Sequence, residues 1–137
     1  FQMARAARSL LEASGVGAIV NTSSMAGANG VGTSPSYTAS KGALIALGKW
    51  LAYQFAPNIR VNNICPGFID TEWFDKQVPA GGVDRVRHFV RNSTPLQRVA
   101  TAQDVAEVAL FLGSPAARHM TAETLNVSGG PTVAASK

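Results

Sequence analysis

Apolar residues recur along the chain with two alternating periods, one helical and one extended. Residues 1–14 are Ala-rich and carry Met3, Ala7, Leu10 and Leu11 at helical spacing. They predict a helix that ends at Gly15-Val16-Gly17. The run Ala18-Ile19-Val20-Asn21-Thr22 predicts a short buried strand. Residues 23–36 are small, polar and Gly-rich, which predicts a loop. Residues 37–55 place Leu44, Leu47, Leu51 and Phe55 in helical register, and Pro57 stops that helix. Residues 60–65 read as a second strand closed by Pro66-Gly67, and residues 68–82 as irregular. Val83, Val86, Phe89 and Val90 mark one side of a short helix that runs to Asn92. Thr101-Ala102-Gln103-Asp104 is a capping start for a helix bearing Val105, Val108, Ala109 and Leu112. Gly113-Ser114-Pro115 ends it, and residues 123–127 form a third strand before Gly129-Gly130.

Short apolar strands separated by helices pair in parallel, through right-handed crossovers that place helices on both faces. The expected architecture is therefore α/β. Ligands of such sheets bind beyond the carboxyl ends of the strands. Here those ends are Ser23-Ser24, Pro66-Gly67 and Ser128-Gly129, which a parallel sheet brings to one rim.

Composition narrows the function. At 137 residues, 46% hydrophobic and 15% charged, the chain is globular rather than disordered, collagenous or coiled-coil. Its net charge of +4 comes from scattered basic residues, the densest group being Arg85, Arg87 and Arg91. That group reads as a solvated helix face, with an anionic substrate tail as the sharper option, and no nucleic-acid partner is expected. A single cysteine, Cys65, excludes an internal disulfide and a cysteine-built zinc site. It fits a reduced, cytoplasmic setting as a small buried hydrophobe. No apolar run reaches the roughly 18 residues of a membrane span, and the N-terminus lacks a signal-peptide layout. Histidines occur only at His88 and His119, no Gly-x-Ser-x-Gly elbow is present, and no cluster has metal-ligand spacing.

Positive chemistry centres on Tyr37 and Lys41. Four residues apart on a helix, they share a face one turn apart. An ammonium so placed favours the phenolate, which suits a tyrosine to acid–base work near neutral pH. Taken alone, the pair equally describes an ordinary helix surface. Ser24 changes the weighting: it follows a strand end and leads into the tyrosine's helix, where a hydroxyl can bond a substrate oxygen. The segment Pro66-Gly67-Phe68-Ile69-Asp70-Thr71 follows the next strand at the same rim, and its glycine admits a flat ligand close to the backbone.

The stretches Ile19-Val20-Asn21-Thr22-Ser23-Ser24-Met25-Ala26-Gly27, Tyr37-Thr38-Ala39-Ser40-Lys41, residues 60–71 and Leu125-Asn126-Val127-Ser128-Gly129-Gly130 together resemble the short-chain dehydrogenase/reductase family in order and spacing. The resemblance implies the C-terminal part of a Rossmann-like doubly wound parallel sheet, with three strands and flanking helices. It implies Tyr37 as the general acid/base. Lys41 would bind the nicotinamide ribose and favour the phenolate, and Ser24 would polarise the carbonyl. Pro66, Gly67, Ile69 and Thr71 would line an NAD or NADP nicotinamide, Ile69 and Thr71 at its carboxamide. Phe68 and Trp73 would touch a small carbonyl or alcohol substrate, under a lid at residues 72–95. A homotetramer or dimer is the expected assembly of the full-length form.

The Gly-x-Gly-x-x-Gly turn that seats a pyrophosphate is missing: Gly15-x-Gly17 is followed by Val20, and Gly30-x-Gly32 by Pro35. The family's catalytic asparagine would precede Phe1. The chain therefore reads as the C-terminal half of a dehydrogenase, with residues 18–22 left as an exposed strand edge. The alternative is a non-catalytic binding or oligomerisation module, its helix at 37–55 offering Leu44, Leu47, Trp50 and Leu51. On the half-domain reading, the 137-residue chain alone binds cofactor weakly and turns over little. Titration with NADH and NADPH checks this, and micromolar binding would overturn it.

Overall fold

The computed structural model describes residues 1–32, 34–72, 76, 79 and 81–130. Its elements follow the order α1 (Gln2–Ala13), β1 (Gly17–Thr22), α2 (Met25–Asn29), α3 (Pro35–Phe55), β2 (Ile59–Pro66), β3 (Ile69–Asp70), α4 (Gly82–Ser93), β4 (Ala100–Thr101), α5 (Ala102–Gly113), a 3-10 turn at Pro115–Ala117, and β5 (Thr124–Val127). Among the described residues, β1, β2 and β5 form a sheet in the order β1-β2-β5, and β3 and β4 form a second, two-stranded ladder. Every pairing is parallel, as the alternation of strands and helices requires.

The central strand explains the layering. In β2, six residues from Ile59 to Cys65 are buried, and only Arg60 and the terminal Pro66 are partly exposed. Alternate side chains of a strand serve opposite faces. Ile59 and Val61 therefore pack with Leu51, Ala52 and Phe55 of α3, joined by Ile19, Ala4 and Leu11. Ile64 packs on the other face with Leu112 of α5 and Ala117, joined by Val20, Val105, Val108, Ala109 and Leu125. Helices thus cover both faces.

Helix starts are built by side chains. Ser34 caps α3 through Tyr37 N, with Pro35 in the first turn. Thr101 and Asp104 form the expected capping box of α5. Arg98 grips Asp104 as well and holds its carboxyl well below the usual range.

Several expectations are corrected. The segment at 23–36 contains α2, because Ser24 caps it and Gly30 closes it in the left-handed conformation. The long helix starts at Pro35 rather than 37. The stretch read as irregular contains β3, whose two residues carry too little pattern to register. On α1, Ala4 and Leu11 face the core, while Met3 and Leu10 stand 82% and 76% exposed. On α4, Val83 is buried but Phe89 is exposed. Leu51 is fully buried against Phe55 and Ile59, so it belongs to the core and not to an assembly face.

One close approach fixes α3 on the sheet. A Cβ at Gly48 would lie 2.1 Å from Asn63 Oδ1 and 2.8 Å from Asn21 Nδ2. Asn63 is fully buried, accepts from Asn21 Nδ2 at 3.1 Å, and donates toward Ile45 O, Glu123 O and Thr124 Oγ1. Neither amide has room to retreat. Gly48→Ala should lower unfolding stability by about 2–3 kcal/mol, from overpacking and loss of a buried hydrogen bond. Urea denaturation with an unchanged midpoint would refute this account.

Candidate functional site

The carboxyl ends of β1, β2 and β5 converge on one rim, held together by backbone bonds. Ser23 N donates to Ile64 O at 2.8 Å, and Gly67 N donates to Val127 O at 3.0 Å. Gly67 is needed where β2 turns out of the sheet: a Cβ there would sit 3.0 Å from Ser128 Cβ.

Two consecutive serines leave β1 with opposite duties. Ser23 is 4% exposed and turns inward, its hydroxyl donating to Lys41 O at 2.7 Å. Ser24 is partly exposed and caps α2, its Oγ accepting from Ala26 N at 3.1 Å. Using its oxygen as an acceptor leaves the Ser24 hydroxyl proton to be donated outward, and acceptance strengthens that donation.

Lys41 reaches back to the same strand end. Its Nζ donates to Thr22 O at 3.0 Å and lies 5.7 Å from the centroid of the Tyr37 ring. Tyr37 is 46% exposed. The structure thus gathers Ser24, Tyr37 and Lys41 around one strand end, as the spacing implies. Gly27 makes this possible, since a Cβ there would fall 2.5 Å from Gly42 N and Lys41 C. Helix α2 therefore lies directly on the turn of α3 that carries Lys41.

Pro66 and Gly67 occupy the neighbouring strand end. Ile69 and Thr71 follow, both partly buried, with Ile69 in the ladder to β4. Phe68 is also partly buried here. Trp73 lies outside the described residues, as do five others of residues 72–95, the stretch expected to form a lid; the described part of that stretch is mainly α4. Asp70 is bound by Arg87 of α4 at 2.7 Å, which lowers its carboxyl below the ordinary value. Arg87 is therefore not simply part of a solvated face. Sequence reasoning passed over Ser23, Gly27 and Asp70: the Ser-Ser pair and the Ser24-x-x-Gly27 spacing were visible, but nothing in the sequence linked Asp70 to an arginine so far away.

Cys65 sits beneath the site, fully buried. Burial pushes its thiol up, against hydrogen bonding from Ser23 and the Ser24 backbone and the charge of Lys41. Among the described residues no group of His, Cys, Asp and Glu is arranged to hold a metal, and no helix is long and apolar enough to cross a membrane.

The family model described as Enoyl-(Acyl carrier protein) reductase matches residues 1–132. The chain belongs to the short-chain dehydrogenase/reductase family. A tropinone reductase homologue of Arabidopsis thaliana is 40% identical over 134 residues, covering 97% of this chain and 48% of the relative. Among solved structures, a putative short-chain dehydrogenase/reductase from Burkholderia xenovorans superposes with a TM-score of 0.80 at 39% identity, covering 94% of this chain and 49% of the other. A 7α-hydroxysteroid dehydrogenase complexed with NADH and 7-oxoglycochenodeoxycholic acid gives a TM-score of 0.84 at 34% identity, over 95% and 50% of the two chains. The chain spans about half the length of the curated relatives it matches. The family's Rossmann-type architecture agrees with the parallel sheet and its two helical layers.

Native Cys65 should resist iodoacetamide at pH 8 over a time in which the urea-unfolded chain labels completely, since the reactive thiolate is both buried and disfavoured. The raised thiol also sets a sign with pH. Its contribution to stability is whole below the unfolded thiol's value of about 8.5 and declines as pH rises through the folded value, because the unfolded chain releases the proton first. Rapid native labelling would contradict the buried placement.

Proposed function

We propose that the protein acts as an NAD(P)-dependent oxidoreductase that interconverts a small carbonyl compound and its alcohol, with Ser24, Tyr37 and Lys41 as its catalytic residues. The observation that carries this reading is the placement of the Lys41 ammonium between Thr22 O and the Tyr37 ring, beside a strand end that presents the Ser24 hydroxyl. Family membership and the NADH-bound relative support the same chemistry.

The residues fit the nicotinamide half of a dinucleotide. Lys41 offers ammonium protons that suit a ribose diol. The Pro66–Gly67 corner, kept open by a glycine that packs on Ser128, suits a flat ring. Ile69 and Thr71 continue from that corner and are assigned to the carboxamide. When bound, the nicotinamide supplies or accepts the hydride at the substrate carbon. The chain's own residues handle the oxygen. Ser24 donates a hydrogen bond to the carbonyl oxygen and polarises it. In reduction, the Tyr37 hydroxyl delivers its proton to that oxygen as the hydride arrives at carbon; in oxidation, the phenolate takes the alcohol proton. Lys41 keeps a positive charge beside the phenolate while its proton is away.

Substrate contacts are assigned to Phe68 and Trp73, with residues 72–95 as the lid. The full protein is assigned to a homotetramer or dimer, and the single buried cysteine fits the cytoplasm. On α3, exposed Trp50 and Tyr53 remain as apolar surface for such an assembly.

Tyr37→Phe in the full-length protein should reduce kcat by at least about 100-fold while leaving the Kd for the cofactor within a small factor, because it removes a transferable proton and little else. Steady-state kinetics with a ketone panel, and fluorescence titration with NADH and NADPH, measure the two quantities. Retained turnover would sink the assignment.

A further inference from the structure

Asp70 stands between Ile69 and Thr71, the two residues assigned above to the nicotinamide. Successive side chains of an extended segment point to opposite sides. Whatever holds Asp70 therefore decides where Ile69 faces within β3 and fixes the point from which Thr71 leaves the strand. Asp70 is held twice. Its backbone is paired in a parallel ladder, Ile69 with Ala100 and Asp70 with Thr101. Its carboxylate receives Arg87 Nε at 3.1 Å on both oxygens and Arg87 Nη2 at 2.7 Å on Oδ1.

Arg87 lies 17 residues along the chain, on α4, and is braced there by Asp84, which accepts from Nη1 at 3.0 Å. The Arg87 and Asp70 side chains are 27% and 34% exposed, whereas Asp84 is 80% exposed. An exposed or half-exposed ion pair contributes little to stability, about 0–1 kcal/mol. A guanidinium fork on a carboxylate instead fixes direction, because two donors and two acceptors must stay in one plane. The pair is thus weak as a brace for the fold and strong as an orienting device.

The geometry points to Asp70, anchored by Arg87, as a positioning residue that turns Ile69 and Thr71 toward the cofactor and couples helix α4 to that loop. The inference rests on the dehydrogenase reading proposed above. It makes α4 and the nicotinamide loop one body, so that a displaced helix also misplaces the carboxamide contacts.

The test uses the full-length protein with Asp70→Asn, Arg87→Gln, the double variant, and Glu107→Gln, an exposed carboxylate of α5 that among the described residues meets only Gln103, as the control. Each single variant should raise the KM for the nicotinamide cofactor about tenfold, as expected when reacting groups lose alignment. The kinetic isotope effect with cofactor deuterated at the transferred position should rise, while Tm stays within a few degrees of wild type. The double variant should be no worse than the worse single one, and Glu107→Gln should behave as wild type. Single variants with wild-type cofactor KM and isotope effect, in an active protein, would overturn the positioning role alone. So would losses that merely follow a fall in Tm. A wild-type protein that neither binds nor turns over NAD(H) or NADP(H) would instead overturn the dehydrogenase reading, and this inference with it.

Discussion

Two hydrogen bonds cross between Lys41 of α3 and the end of β1, one running each way. The Ser23 hydroxyl donates to the lysine's backbone carbonyl, and the lysine ammonium donates to the carbonyl of Thr22, the residue before the serine. The first bond is buried, so neither partner has water as a substitute, and breaking it leaves unsatisfied polar atoms in the interior. The second reaches out to the rim. Through this exchange the sheet edge and the long helix share one origin. Ser24 follows directly from the buried serine, and Tyr37 stands one turn before the lysine. The relative placement of the three proposed catalytic side chains is set by contacts that are themselves backbone-directed.

Much of this was legible beforehand because it depends on period. Strands β1, β2 and β5 announce themselves as apolar runs between turn signals. Helix α5 turns Val105, Val108, Ala109 and Leu112 toward the core as their spacing requires, Leu112 fully buried and the others partly. The Tyr37–Lys41 juxtaposition follows from helical pitch alone. What was not legible depends on partners distant in sequence. Two adjacent serines look alike until a strand's twist sends one inward and the other onto a helix start. A two-residue strand such as β3 has no period to detect. Arg87 on a charged helix reads as a solvated cation until the fold brings Asp70 beneath it. On α1, apolar residues occupy more than one face, and only the folded packing shows that Ala4 and Leu11, both partly buried, are turned to the core.

The polar interior deserves equal weight with the apolar one. Asn62 donates to Met120 O and accepts from Glu123 N, while Asn63 binds Asn21, α3 and β5. Arg60 donates to Leu112 O and Ser114 O, satisfying carbonyls where α5 ends. Three polar residues of the central strand, Arg60, Asn62 and Asn63, thus fasten its neighbours by direction as well as by contact. Apolar burial is tolerant of small slides, but hydrogen bonds to named carbonyls are not. A sheet whose rim is proposed to hold reacting groups would benefit from the second kind of attachment.

Helix α3 acts as a ruler, and Gly48 is its zero mark. A shift of one residue along the axis would drive a side chain into the Asn21–Asn63 pair, so the helix has a single permitted setting on the sheet. Tyr37 lies about three turns nearer the N-terminus, roughly 16 Å away by helical rise. Its phenol is therefore placed by dead reckoning from the far end of the same rod. The chemistry proposed at the rim would inherit its accuracy from an amide pair at the other end of the helix.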